Sequence, residues 1–297
     1  MKQNIIAYLW DFDHTVSPYD MQKPLFEHFG TTSEQFFGEA DEYRKRTKEE
    51  QGVEVDSENA YMNLMIDYAW DNKFPGLNNG MLREFGKTIE FFPGIPDFLY
   101  EMKRLTEEDP VCQKYGIKVE HYVITTGLTE MVRSSKLAGA LDGVYGGEFV
   151  ERQGPSGDPL IARIGRAIGF TKKTRFIFEI NKGVNVYTEL DVNQRIPHEL
   201  RRVPFPNKCY ISDGFTDVAA GTTVLDRDGE NHIVYNPNSD KSFALALELT
   251  KQKRAMTMSE ADYRPGKQIY KILNNFRERR IEMIVSEMNR QVLRHKR

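Results

Sequence analysis

Residues 4–10, NIIAYLW, form an unbroken apolar run that ends abruptly at the acids of DFD (11–13). A short run of strand formers bounded by polar residues predicts a β-strand buried on both faces. EHYVITTGL (120–128), KCYISDGFTD (208–217) and NHIVYNP (231–237) repeat this form, each apolar run closing on polar residues or glycine. DGVYGGEFVE (142–151) and ARIGRAIGF (162–170) read as a pair of strands. A different period fills the gaps. Tyr61, Leu64, Met65, Tyr68 and Ala69 recur at i, i+3, i+4, i+7 and i+8 within DSENAYMNLMIDYAWDN, which predicts an amphipathic helix. TSEQFFGEADEYRKRTKEEQ (32–51), FFPGIPDFLYEMKRL (91–105), LTEMVRSSKLAG (128–139) and TKKTRFIFEINKG (171–183) also read as helical.

Strands alternating with helices predict a parallel α/β sheet. Its pieces are residues 1–18 and 90–250, because residues 19–89 carry few strand signals and read as a helical unit inserted after the first strand. Residues 251–297 read as a C-terminal helical segment. An apolar stripe at Ile269, Ile272, Leu273 and Phe276, extended by Ile281, Ile284, Met288 and Val292, is expected to pack on the core. Residues 184–207, with Pro197, Pro204 and Pro206, form a long irregular stretch. Such stretches are often lids, and whether this one covers a site is open.

Composition narrows the function. Forty-one basic and 44 acidic residues leave a net charge of −3, which gives no electrostatic footprint for a nucleic acid or a membrane surface. Two cysteines, Cys112 and Cys209, make no disulfide framework and no CxxC pair. No apolar stretch is long enough to span a bilayer, and the N-terminus lacks the features of a signal peptide. The expectation is a soluble, cytoplasmic protein.

In a parallel sheet the C-terminal ends of the strands face one crevice, where ligands bind. Here those ends carry Asp11 and Asp13, then Thr125, Thr126 and Gly127, then Asp213, Gly214 and Asp217, with Lys172 and Lys173 at a helix start. Clustered carboxylates suit a hard cation such as Mg²⁺. A hydroxyl, a lysine and nearby backbone N–H groups suit a phosphate.

DFDHT, VITTG, the lysine of TKKTRFIFEI and SDGFTD, in that order over residues 11–217, resemble the four motifs of the haloacid dehalogenase-like (HAD) superfamily of phosphohydrolases. Ser212 stands where that pattern more often has glycine. The resemblance implies a Rossmann-like core with residues 19–89 as an all-helical cap between the first two motifs, in the manner of the phosphoserine phosphatase branch. It implies Asp11 as the nucleophile that becomes an aspartyl phosphate, and Asp13 as general acid, then base, with its backbone carbonyl on the metal. Thr125 would hold the transferring phosphoryl group, with Thr126 and Gly127 beside it, and Lys173 would neutralise its charge. Asp213 and Asp217 would complete the Mg²⁺ site, Asp217 directly or through water. An acid at position 13 favours phosphoryl transfer over dehalogenation.

Several assignments stay open at this level. Thr126 competes with Thr125, and Lys172 and Lys182 with Lys173. Asp20 sits where that branch has a substrate-amine contact, but an N-cap before MQKPLFEHFG is the stronger reading. His14 reads as structural or as the edge of the site, and Arg44 and Arg46 as solvated surface. The expected function is a Mg²⁺-dependent phosphatase acting on a small phosphorylated metabolite, with no nucleic acid or membrane partner. The alternatives are a phosphotransferase or mutase on the same intermediate, or a non-catalytic phosphate-ligand-binding protein.

Overall fold

In a computed structural model that describes residues 3–295, with only the helical backbone given for 291–295, the first strand is β1 (Ile5–Trp10). All six of its residues are buried. Successive side chains of a strand alternate between faces, and both faces here are covered. Ile6, Tyr8 and Trp10 join one apolar cluster, while Ile5, Ala7 and Leu9 join another.

Among the described residues seven strands make one sheet. Those after β1 are β2 (Lys118–Leu128), β3 (Gly143–Gln153), β4 (Pro159–Arg166), β5 (Lys208–Ser212), β6 (Glu230–Tyr235) and β7 (Thr257–Glu260). Their order is β4-β3-β2-β1-β5-β6-β7. Every neighbouring pair is parallel except β3–β4, an antiparallel hairpin. The fold is therefore α/β, with β1 at the centre.

The helices are α1 (Lys23–His28), α2 (Ser33–Gln51), α3 (Ser57–Trp70), α4 (Asn79–Gly86), α5 (Asp97–Glu107), α6 (Pro110–Tyr115), α7 (Thr129–Ser134), α8 (Lys172–Lys182), α9 (Val218–Leu225), α10 (Asp240–Lys251) and α11 (Gln268–His295). On one side of the sheet Phe98 of α5 and Leu273 and Phe276 of α11 pack with Tyr8 and Trp10. The Tyr8 hydroxyl donates to the Leu273 carbonyl at 2.8 Å. On the other side Phe176, Ile177 and Ile180 of α8 and Val224 of α9 cover Ala7 and Leu9. In the C-terminal stripe Ile269, Leu273, Phe276, Ile281 and Ile284 are buried, whereas Ile272 and Met288 are half-buried. The packing of Val292 lies outside the described residues.

Helices α1–α4 occupy the chain between β1 and α5. Thr32 caps α2 by accepting from the Gln35 N–H at 3.2 Å, and Gly52 closes it in the left-handed region. Phe26, Phe36 and Phe74 stack inside this unit. Where the chain leaves and returns, Phe92 N–H donates to the Val16 carbonyl at 2.9 Å. Three contacts bring the unit onto the sheet. Trp70 Nε1 donates to the Ile161 carbonyl at 2.8 Å, and Tyr61 to the Thr126 carbonyl at 2.7 Å. Helix α4 packs on α7 at Gly86, where any side chain would lie 2.9 Å from Met131 Cα.

Three readings of the sequence change. LTEMVRSSKLAG is helical only to Ser134, because Ser135 turns its hydroxyl onto the Val132 carbonyl and accepts from Leu137 N–H, competing with the helix. The segment after residue 250 is not purely helical, since β7 adds an edge strand to the sheet. Asp20 does not cap α1, which starts at Lys23 with Gln22 at its N-cap.

Candidate active site

The register of the three central strands sets the site. Trp10 of β1 pairs with Val123 of β2 and Ile211 of β5, so the residues that follow on each strand emerge side by side. Asp11 N–H continues the ladder to the Ile211 carbonyl at 2.9 Å, then the chain turns away from the sheet. The carboxylates of Asp11, Asp213 and Asp217 converge, each offering an oxygen within 4.8 Å of the others. All three belong to the acids singled out in the sequence.

Lys173, in the first turn of α8, is fully buried beneath them. Its Nζ lies 2.7 Å from Asp11 Oδ1 and 2.8 Å from Asp217 Oδ1. Burial works against this ammonium, but Asp11 and Asp217 outweigh it and its pKa is raised. Lys172 points elsewhere and donates to the Ala167 carbonyl at 2.6 Å. Lys182, at the far end of α8, donates to the Gln194 carbonyl at 2.7 Å. Only Lys173 of the three reaches the acids.

Asp217 has both oxygens engaged. Oδ1 accepts from Lys173 and from the Tyr210 hydroxyl, and Oδ2 accepts from Thr216 at 2.6 Å. Burial first, then Asp11 and Asp217, pushes Asp213 up to about 7. Burial and Asp217 push Asp11 up to about 6, against the opposing charge of Lys173. Three buried carboxylates facing one ammonium are an under-neutralised hard-oxygen set, which is the donor chemistry a small divalent cation fits.

Asp13 is turned to a separate task. Its Oδ1 accepts from the Met21 backbone N–H at 2.7 Å. Burial, then Asp20 and Asp11, raises its pKa well above the carboxylate range. Met21 in turn packs on Gly127, whose missing side chain would lie 2.6 Å from Met21 Sδ and 3.3 Å from Asp13 Oδ2. Thr125 is fully buried and its Oγ1 accepts from Gly127 N–H at 2.9 Å. Thr126 and Gly127 line the cavity above.

That cavity has a volume of about 250 Å³ and is bordered by Asp11, Asp13 and Asp213 on the sheet side. His14, in the left-handed region at φ 57°, and Asp20 form one wall and pair at 3.2 Å. The Asp20 hydrogen bond is the main cause that raises the His14 pKa to about 9. The sequence reading left the opposite wall unassigned: Phe37 of α2, Ser57, Glu58 and Tyr61 of α3, and Phe170 before α8. In the sequence Tyr61 reads only as part of an apolar stripe. Thr15, also not singled out, donates to Asp11 Oδ2 at 3.4 Å.

Arg44 and Arg46 do not border this cavity, and Arg44 donates to the Val55 carbonyl and Asp41. Residues 184–207 lie at the other end of the sheet. Val203 N–H donates to the Asn181 carbonyl at 3.1 Å, and Asn207 Nδ2 to the Ile5 carbonyl at 3.0 Å. The stretch is not a lid on the acidic cavity. No helix among the described residues is long and apolar enough to cross a membrane.

No protein-family model matches the sequence. An uncharacterized protein of Borreliella burgdorferi is 28% identical over 282 residues, covering 91% of this chain and 95% of that protein. A HAD family hydrolase of Salmonella enterica serovar Typhi superposes with a TM-score of 0.52 at 13% identity over 86% of this chain, and the match takes in 66% of that protein, slightly under two thirds of its length. A phosphoserine phosphatase in the form of a phospho-aspartyl intermediate analogue superposes at 0.50 with 12% identity, over 91% of this chain and 97% of that one. A substrate-bound phosphoserine phosphatase gives 0.50 at 13% over the same shares. The chain has the Rossmann-like fold of HAD-type phosphatases.

Proposed function

We propose that the protein is a Mg²⁺-dependent phosphatase that hydrolyses a small phosphomonoester through an aspartyl phosphate on Asp11. The observation that carries this reading is the double contact of Lys173 with Asp11 and Asp217 beneath the carboxylate cluster. It holds an anionic nucleophile beside a fixed positive charge, which is what an attack on an anionic phosphate needs.

Asp11 attacks phosphorus, forming an acyl–phosphate bond as the ester P–O bond breaks. Asp13 gives its proton to the leaving alkoxide. Burial, then the Asp20 and Asp11 carboxylates, raises the Asp13 pKa, which favours the protonated state a general acid requires. Once the alcohol departs, Asp13 takes a proton from water, which attacks phosphorus and releases inorganic phosphate and Asp11. The Thr125 hydroxyl, oriented by the hydrogen bond it accepts from Gly127 N–H, holds the phosphoryl group, and Lys173 balances its charge. Asp11, Asp13 through its backbone carbonyl, Asp213 and Asp217 would hold Mg²⁺, which supplies neutralisation of the transferring group. Helices α1–α4 act as a cap that shields the site from water, and the small cavity favours a metabolite over a protein substrate.

The test is release of phosphate from an aryl phosphate and a panel of small phosphomonoesters, with Mg²⁺ and with chelator, by the native chain and by Asp11→Asn. The expected result is turnover that needs Mg²⁺ and vanishes in the variant. Turnover that survives in Asp11→Asn rules out the aspartyl phosphate.

A further inference from the structure

At the sheet end of the cavity Lys173 lies beneath the clustered carboxylates, whereas the wall that would face the leaving group has no such ammonium. Among the described residues no lysine or arginine lines the cavity, and Lys173 lies buried beneath the acids. His14, a basic side chain on the wall, is already paired with Asp20. Glu58 of α3 faces them with a carboxylate that accepts from the Ser57 hydroxyl at 3.1 Å. Among the described residues no lysine, arginine or histidine nitrogen lies within ion-pair distance of it. Glycine at position 169 makes room for this carboxylate, because any side chain there would collide with it.

The rest of this wall is aromatic. The Phe37 and Tyr61 rings meet edge to face, 6.0 Å apart at 75°. Tyr61 is fixed by its bond to the Thr126 carbonyl, so the corner it forms is tied to the strand that carries Thr125. Phe170 adds a third ring to the lining and stays 46% exposed. Aromatic faces beside an unpaired carboxylate attract an ammonium ion, through the ring quadrupole and through charge. A carboxylate in the same place would lose its hydration and meet no counter-ion.

We infer that the alcohol portion of the substrate carries an ammonium group, primary or quaternary, and no carboxylate, with Glu58, Phe37 and Tyr61 as its binding residues. The inference rests on the phosphatase reading for the other end of the molecule. It assigns selectivity to α2 and α3, and leaves the chemistry to the sheet.

Binding separates the two ideas, because phosphonates report recognition without turnover. Calorimetry with Mg²⁺ present would compare 2-aminoethylphosphonate, propylphosphonate and phosphonoacetate. The expected result is at least tenfold tighter binding of the ammonium ligand than of the propyl ligand, with phosphonoacetate weakest. Glu58→Gln, checked for folding by circular dichroism, should reduce that preference to within about threefold, and Phe37→Leu should reduce it in part. Equal affinity for the three ligands overturns the inference, as does a preference that persists in Glu58→Gln. So does failure of all three to bind a protein that still hydrolyses an aryl phosphate. An intact ammonium preference without phosphate release from 2-aminoethyl phosphate would instead remove the phosphatase reading and leave the recognition site standing.

Discussion

Lys173 Nζ touches Asp11 Oδ1 at 2.7 Å across 162 positions of sequence, and both groups are buried. The pair makes burial of the acids possible, since the same ammonium also holds Asp217. Replacing Lys173 by methionine keeps the packing and removes the charge. The buried carboxylates then lose the ammonium that pairs with them, which costs about 3 to 5 kcal/mol for a broken buried pair. The expected outcome is an unfolding free energy, measured in urea, lowered by that amount, and loss of phosphate release. A variant as stable as the native chain would show that the acids are relieved in some other way.

The acids themselves predict a trade between stability and metal binding. Asp213 has a folded pKa of about 7, above its unfolded value, so the folded state holds the proton more tightly. Its contribution is favourable below about pH 4 and is lost as pH rises through the folded value, leaving an electrostatic strain at pH 7.5. Asp213→Asn removes that strain. Without divalent cations the variant should be more stable than the native chain at pH 7.5, on the order of 2 kcal/mol. Added Mg²⁺ should stabilise the native chain by about 2.7 kcal/mol at a hundred times its dissociation constant, and the variant far less. Thermal melts with and without Mg²⁺ check both. Equal Mg²⁺ shifts in the two proteins would take Asp213 out of the metal site.

Gly127 gives a third test. A methyl group there would meet Met21 Sδ, and Met21 N–H holds Asp13. Gly127→Ala is expected to cost about 1 to 3 kcal/mol by overpacking. It should also lower kcat, on the order of tenfold for a displaced proton donor, with little change in Mg²⁺ affinity. An unchanged kcat would show that Met21 does not fix the position of Asp13.

The parts that were legible in sequence are those whose signal is local. β1, β2 and β5 are continuous apolar runs because their residues are almost wholly buried, and the polar residues at their ends stand out against them. Lys172 and Lys173 could not be separated, because one step along a helix turns a side chain by about 100° and the register of α8 depends on packing. Glu58 and Phe37 carried no local signal. They border the cavity only because α2 and α3 fold back over the crevice, and that placement is tertiary. β7 spans four residues and α6 six, too short for a period to show.

His121 supplies a dependence on pH away from the site. It is fully buried against β1, its Nδ1 accepting from Trp10 Nε1 at 3.1 Å, so Nε2–H donates to the Leu99 carbonyl at 3.1 Å. Burial, reinforced by Lys103, pushes its pKa down to about 3. The unfolded chain takes up a proton below about pH 6.5 that the folded chain refuses until about pH 3. Stability is therefore intact above pH 6.5 and falls with decreasing pH by up to about 1.4 kcal/mol per unit from this residue. His121→Gln should lack that one-proton component when urea midpoints are compared at pH 7, 6 and 5. Parallel curves would mean that the imidazole is protonated in the fold.

The last prediction separates stability from activity. Residues 184–207 attach to the end of the sheet remote from the acids, and Arg202 anchors them there. Its Nη1 donates to Glu120 Oε2 at 2.8 Å and to the Tyr122 hydroxyl at 3.2 Å, and its Nη2 donates to Glu120 Oε1. Both side chains are largely buried, so Arg202→Ala strands the Glu120 carboxylate and should cost about 3 kcal/mol. Replacing both partners by apolar residues, Glu120→Leu with Arg202→Met, should recover most of that loss, since no buried charge is then left alone. Because neither residue borders the cavity, kcat/KM should stay within about twofold of native wherever the variants are folded. A selective fall in kcat/KM for Arg202→Ala, at a temperature where it is fully folded, would mean that the stretch reaches the acids during turnover.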